Sequence, residues 1–234
     1  MQTNKHNQLS LQEVQKYFEH PFISKRREFI ETYNFHDDFK NYYKDVILKN
    51  LFHRDALYVC DLIELENKTN IKDEELLLRY LNLLSEKIHY LVKLEVLDLF
   101  LTNQVQNIPK TEIEKRLKNA LPSYHKRIKQ LKIVTNQILL NLIFLKTESL
   151  EIYKKELIKS LQLTKDHRSL IRTLHCLEQK GFSFLDKDYI QNILEVIKEQ
   201  NQSRSVVDAL SRFTVCLSQE YDNCLGESHE EFKN

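Results

Sequence analysis

Four sets of side chains in this sequence have types and spacings that could serve chemistry or binding. The first is His36-Asp37-Asp38. A His beside carboxylates is a donor set used in metal-dependent phosphohydrolysis. It needs further ligands from neighbouring helices, here His20, Asp45, Asp55 or Asp61. No ligand-spacing motif supports such a centre, and Asp37 has a simpler use as a helix cap. No metal and no other cofactor is expected. The second set is His175-Cys176. A nucleophilic Cys needs a His to take its proton. Adjacent residues on a helix point about 100° apart, so these two do not face one another. The pair reads as a core Cys beside a surface His, and no catalytic residue is expected.

The third set is a basic run over 110–132. Lys110, Lys115, Arg116, Lys118, Lys126, Arg127, Lys129 and Lys132 stand against Glu112 and Glu114. Phosphate contacts are one use for such a run, and a solvated helix face is another. Aromatic interleaving is limited to Tyr124, so no base-stacking groove is indicated. DNA glycosylases built from helical repeats grip duplex with aromatic and carboxylate groups in a strongly basic cleft. A chain with no Trp and a net charge of +1 fits that poorly.

The fourth set is a pair of polar ridges. Arg168, Arg172, His175 and Gln179 are separated by steps of 4, 3 and 4, which places them on one helix face. Arg204, Asp208, Arg212 and Gln219 repeat the pattern further along, and Glu95, Asp98 and Thr102 form a corresponding acidic line earlier. Ridges in register on neighbouring helices would form a groove, acidic toward the N-terminal half and basic toward the C-terminal half. Arg168, Arg172, His175, Arg204, Asp208 and Arg212 are the candidate partner-binding residues. Arginine is a favoured anchor because its planar fork meets a carboxylate at two points.

The elements that carry these ridges must be helices. The 234 residues hold only 2 Gly and 3 Pro, too few for tight hairpins or Gly-rich phosphate loops. The near-neutral charge argues against a generic nucleic-acid coat or a polybasic membrane binder. The apolar stretch Ile138–Leu145 is far shorter than the roughly 20 residues that span a bilayer. The first residues contain no apolar leader. The four cysteines, Cys60, Cys176, Cys216 and Cys224, form no C-x-x-C pair and read as free thiols. A cytoplasmic protein with no membrane association is expected, and the Asn67-Lys68-Thr69 sequon has no role there.

Helix-start signals recur at 37, 73, 111, 149 and 186, at intervals of 36, 38, 38 and 37. Asp37, Asp73, Ser149 and Asp186 supply capping oxygens. Ser10–Glu13 and Thr111–Glu114 read as capping boxes. Each interval holds two helices. The first of each pair is expected near 38–49, 74–84, 112–121, 149–161 and 187–199. The second is expected near 54–68, 88–103, 123–146, 165–180 and 203–221, the third of these bending or breaking near Thr135. Gly181 and Pro122 suit helix-end and first-turn positions. Leu94, Leu97, Leu101, Leu139, Leu142, Leu174, Leu177, Leu210 and Phe213 are the expected inter-repeat core.

This period, with segments such as Leu91–Phe100, resembles HEAT-type repeats over residues 37–221, without their first-helix Pro and regular Asp-Pro turn. The resemblance implies an all-α, single-domain α-solenoid of five to six stacked antiparallel helix pairs. Residues 1–36 would form an N-terminal capping pair and 222–234 a polar tail. An array of five or six helix pairs with near-neutral charge and no catalytic motif fits a non-enzymatic protein-binding module best. Bacterial immunity proteins include single-domain helical arrays of this kind, so the fold-level expectation is an inhibitor whose protein partner is a toxin domain. The alternative is a nucleic-acid-binding repeat protein, such as a DNA-repair factor, using the 110–132 segment.

Overall fold

The computed structural model describes residues 9–69, 71, 73–102, 108–121, 129–180 and 185–230. Among them lie twelve α-helices and no strand. In order they are α1 (Leu11–Phe18), α2 (Ile23–Thr32), α3 (Lys40–Asn50), α4 (Ala56–Thr69), α5 (Glu74–Leu83), α6 (Tyr90–Thr102), α7 (Lys110–Ala120), α8 (Lys129–Phe144), α9 (Leu150–Gln162), α10 (His167–Lys180), α11 (Lys187–Gln200) and α12 (Arg204–Glu230). A 3₁₀ turn, Asp37–Phe39, leads into α3. Of the described residues 79% are α-helical, which meets the all-α expectation. The expected helix bounds fall within a few residues of those of α3 to α11, and the start of α12 does too, while residues 123–128 of the expected third second-helix lie outside the described residues.

The starts show which signals the backbone uses. Ser10 forms the expected capping box: its own N–H donates to Glu13 Oε2 at 2.8 Å, and its hydroxyl accepts from the Glu13 N–H at 3.4 Å. Asp73 accepts from the Leu76 N–H at 3.0 Å and Asp186 from the Tyr189 N–H at 2.8 Å. Asp55 and Asp166 do the same for α4 and α10. Three expected caps differ. Asp37 sits in the 3₁₀ turn and pairs with Lys40 at 3.2 Å. Ser149 precedes α9 without a side-chain cap bond. Thr111 lies inside α7, because the helix begins directly after Pro109. Its would-be partner Glu114 is held elsewhere, by Lys118 at 2.9 Å and by the Tyr153 hydroxyl at 2.5 Å.

Helix α8 runs unbroken through Thr135, and α12 continues to Glu230 instead of ending near 221. Lys146, at φ 50°, takes the left-handed conformation after α8, a role usually given to Gly but here filled in a glycine-poor chain. Gly181 and Pro122 lie outside the described residues.

The chain divides into two compact units, 1–99 and 100–234. In the first, α2 packs on α1 and α4, and α3 packs on α4. Arg27 on α2 bridges to Asp61 on α4 at 2.5 Å, and Lys68 donates to the Ile30 carbonyl at 3.1 Å. The N-terminal pair is more than a polar cap. It buries Val14, Phe18, Phe29 and Ile30. Phe18 meets Phe29 edge-on at 5.5 Å, and Phe35 meets Tyr43 edge-on at 5.1 Å.

In the second unit, α8 packs against α9 and α10, α10 against α12, and α9 against α11. The α7, α9 and α11 rows carry a repeated contact. Lys118 Nζ lies 5.4 Å over the Tyr153 ring, and Lys154 Nζ lies 5.1 Å over the Tyr189 ring. The second pair is the first displaced by 36 residues along the chain. The Tyr153 hydroxyl donates to Glu114 at 2.5 Å, and the Tyr189 hydroxyl to the Lys154 carbonyl at 3.0 Å. Of the nine expected core residues, Leu94, Leu97, Leu101, Leu139, Leu142, Leu174, Leu177 and Phe213 are buried. Leu210 is the exception, half-buried at the edge of the α12 stripe.

Candidate functional site

Helix α10 starts on Asp166, whose carboxylate accepts from the Ser169 N–H at 3.1 Å and the Ser169 hydroxyl at 3.0 Å. From that start, Leu170, Thr173, Leu174, Cys176 and Leu177 turn inward. Arg168, His175 and Gln179 are left exposed. On α12, Val206, Ala209, Phe213 and Leu217 turn inward, leaving Arg204, Asp208, Arg212 and Gln219 exposed. Each ridge is therefore the complement of an apolar stripe.

Two ties set the register between the helices. Asn201 Nδ2 donates to the Lys165 carbonyl at 2.9 Å, fastening the residues just before α12 to those just before α10. Further along, the Cys216 thiol donates to Glu178 Oε1 at 3.4 Å. With both helices running the same way between these ties, Arg168 stands level with Arg204, Arg172 with Asp208, and His175 with Arg212.

The charges of this face are mostly not consumed internally. Among the described residues Arg168 and Arg212 have no ion-pair partner. Arg204 and Asp208 approach only to 3.9 Å, with the Arg204 side chain 95% exposed. His175 Nδ1 is 4.0 Å from Glu178. Arg172 differs from the others. It is half-buried, and its guanidinium acts on the Cys176 thiol, so it is a packing residue with a charged tip. The earlier acidic line is placed differently again: Glu95 and Asp98 are half-buried and belong to the first unit.

The other candidate chemistry is dispersed. Cys176 is fully buried, and burial pushes its thiol up to about 11, while His175 is exposed. Burial likewise pushes the Cys60 thiol up to about 12. Both shifts disfavour the thiolate that a nucleophile needs. In the first unit Asp61 is held by Arg27 and Asp55 caps α4, while His20 Nδ1 accepts from the Phe22 N–H at 3.1 Å. No group of three or more His, Cys, Asp or Glu among the described residues is placed to hold a metal ion.

The basic run is partly internal. Arg116 and Lys118 pair with carboxylates one turn back, and Lys132 donates to the Leu163 carbonyl at 2.8 Å. Lys110 and Lys115 are exposed. Lys126 and Arg127 lie outside the described residues. No helix among the described residues is long and apolar enough to cross a membrane.

Sequence reasoning found the two ridges from their spacing. It missed the Asn201–Lys165 and Cys216–Glu178 ties. Their only signal is a separation of 36 and 38 residues, matching the repeat length. It also missed the Lys–Tyr pairs, whose members stand 35 residues apart and which recur after 36. No family model, no curated protein and no solved structure matches this chain.

Proposed function

We propose that this protein is a non-enzymatic helical-repeat binding module, an α-solenoid of HEAT-like pairs, whose α10–α12 face docks on a protein partner and inhibits it. The alternate-helix packing and the Lys–Tyr pairs that recur after 36 residues support the repeat reading. The observation that carries the binding reading is the face itself. Arg168, Arg204 and Arg212 are exposed on two helices whose register is tied at both ends. Exposed arginines on a rigid helical face can take up carboxylates with little ordering cost. The partner is then a protein with an acidic rim around the site it must lose. A toxin domain neutralised by an immunity protein is one such case. The internal pairing of Arg116, Lys118 and Lys132 counts against the nucleic-acid alternative.

The test is a charge reversal that avoids the half-buried Arg172. An Arg168→Glu, Arg212→Glu variant is expected to keep its helical circular dichroism and melting behaviour. Partner protein captured by the wild-type chain and then purified should lose most of its affinity for this variant in calorimetric titration. A Lys110→Glu, Lys115→Glu variant should bind normally. The reading fails if the folded double variant binds as well as wild type. It fails also if duplex DNA or RNA, titrated against salt, binds with a steep ionic-strength dependence that the lysine variant abolishes.

A further inference from the structure

The outer side of α12 carries a pattern that matches itself. The helix packs on α10 and α11 through Val206, Ala209, Phe213 and Leu217. Opposite that stripe, Val207 is 47% and Val215 56% exposed, high for apolar side chains. The hydroxyls around them are committed to their own helix. Ser211 donates to the Val207 carbonyl at 2.9 Å, Thr214 to the Leu210 carbonyl at 2.8 Å and Ser218 to the Thr214 carbonyl at 3.0 Å. Hydroxyls bonded in this way can be covered without losing a hydrogen bond. The strip therefore offers mostly methyl and methylene groups to whatever lies on it.

Spacing about Ser211 is the same in both directions. Asp208 and Thr214 lie three residues away, Val207 and Val215 four, Arg204 and Ser218 seven. These steps keep all of them on one side of the helix. A second α12 laid antiparallel, with the two Ser211 residues at the crossing, brings Val207 of each copy level with Val215 of the other. Ser211 is small enough to let the helices approach there. Asp208 and Arg212 lie on the same edge of the strip, on either side of the crossing. Two-fold symmetry then sets Asp208 of each copy beside Arg212 of the other, giving two ion pairs at the rim. A parallel pairing in the same register sets Arg204, Asp208 and Arg212 each against its own kind. The order of charges, positive, negative, positive, thus selects the antiparallel arrangement.

We infer that the outer side of α12 is a self-association surface, taken up by α12 of a second copy of this chain, antiparallel and two-fold about Ser211. This does not rest on the partner-binding reading, although Arg204 and Arg212 belong to both surfaces. The contact spans about four helical turns, which is small for a specific interface, so a dimer of roughly ten-micromolar affinity is expected.

Sedimentation equilibrium of the full chain over a range of concentrations reads the dimer directly. Wild type is expected to pass from monomer to dimer as concentration rises. Ser211→Arg puts bulk and charge at the crossing and should leave a monomer with its helical circular dichroism intact. Asp208→Arg and Arg212→Asp each set like charges across the two-fold, and each should weaken association about tenfold. Mixed together, these two variants regain both opposite-charge contacts and should form a heterodimer of near wild-type affinity. Arg168→Glu lies outside the contact and should associate as wild type does, which separates this surface from the proposed partner face. The inference is overturned if wild type stays monomeric up to roughly 200 micromolar. It is overturned equally if folded Ser211→Arg associates as wild type does, if the mixture is no tighter than either variant alone, or if Arg168→Glu dissociates the dimer.

Discussion

Raising the pH should weaken this protein through one carboxyl group. Glu66 on α4 is only 3% exposed, and its Oε2 has no hydrogen-bond partner among the described residues. Burial pushes its pKa up to about 8 from an ordinary value of 4.5, the neighbouring Tyr80 hydroxyl opposes the rise, and the charge of Asp73 adds to it. The Tyr80 ring is itself fully enclosed, so little water is at hand to stabilise the anion. The folded chain therefore keeps the Glu66 proton up to about pH 8, while the unfolded chain releases it near 4.5. The stability that the neutral carboxyl contributes is whole below the unfolded value and is lost as pH rises through the folded one.

One proton over that window corresponds to about 1.4 kcal/mol per pH unit, or about 3 kcal/mol between about pH 5 and 7. That is a large share of the 5–15 kcal/mol by which domains are usually stable, ~10 in round figures. Urea melts followed by circular dichroism at unit pH steps across the window would read it. Glu66→Gln keeps the size and cannot ionise, so its profile should be flat there. It should fall about 1 kcal/mol below wild type at the acid end, where an imperfectly bonded amide replaces the acid. It should exceed wild type at the alkaline end. Asp73, Asp186 and Glu114 have lowered pKa values, so their contributions are lost only on acidification below the ordinary carboxylate range. A wild-type profile parallel to that of Glu66→Gln would refute the reasoning, because it would mean the buried carboxylate is hydrated or paired.

Truncating Leu97, which is fully buried, to Ala should lower stability by about 2–5 kcal/mol in a denaturant melt. Leu210→Ala should cost about 1 kcal/mol, well below Phe213→Ala at about 3–5 kcal/mol, because Leu210 is half-buried and Phe213 is enclosed. Equal losses at 210 and 213 would place the α12 stripe at a different rotation. Asp186→Ala removes both the α11 cap and the partner of Lys154 at 2.8 Å, and should cost about 1–2 kcal/mol at neutral pH. Because the Lys154 ammonium holds the Asp186 carboxyl low, that difference should shrink as pH falls below the ordinary Asp value of 3.8.

The helices were legible because their causes are local. A shortage of Gly and Pro, apolar residues three and four apart, and Asp at 73 and 186 act within one or two turns. Those elements appear where the spacing puts them. The ridge residues followed for the same reason, since the face opposite Leu170, Leu174 and Leu177 is determined once the helix period is known. Local signals also misled where a neighbour competed. Thr111 has the right sequence for a capping box, but the chain leaves Pro109 already helical, so the Thr falls inside α7.

What needed the folded chain was every relation between residues far apart in sequence. Arg172 has the same spacing as Arg168, yet α10 carries it toward Cys176 and half-buries it. Glu66 looks like an ordinary surface carboxylate on a charged helix, and only packing against Tyr80 withdraws it from water. The Tyr17–Phe29–Tyr33 stack joins two short helices whose sequence shows merely that both are aromatic. Periodicity specifies which way a side chain points from its own helix. Burial, desolvation and the meeting of two such side chains depend on where the other helices lie, and that is a property of the packing as a whole.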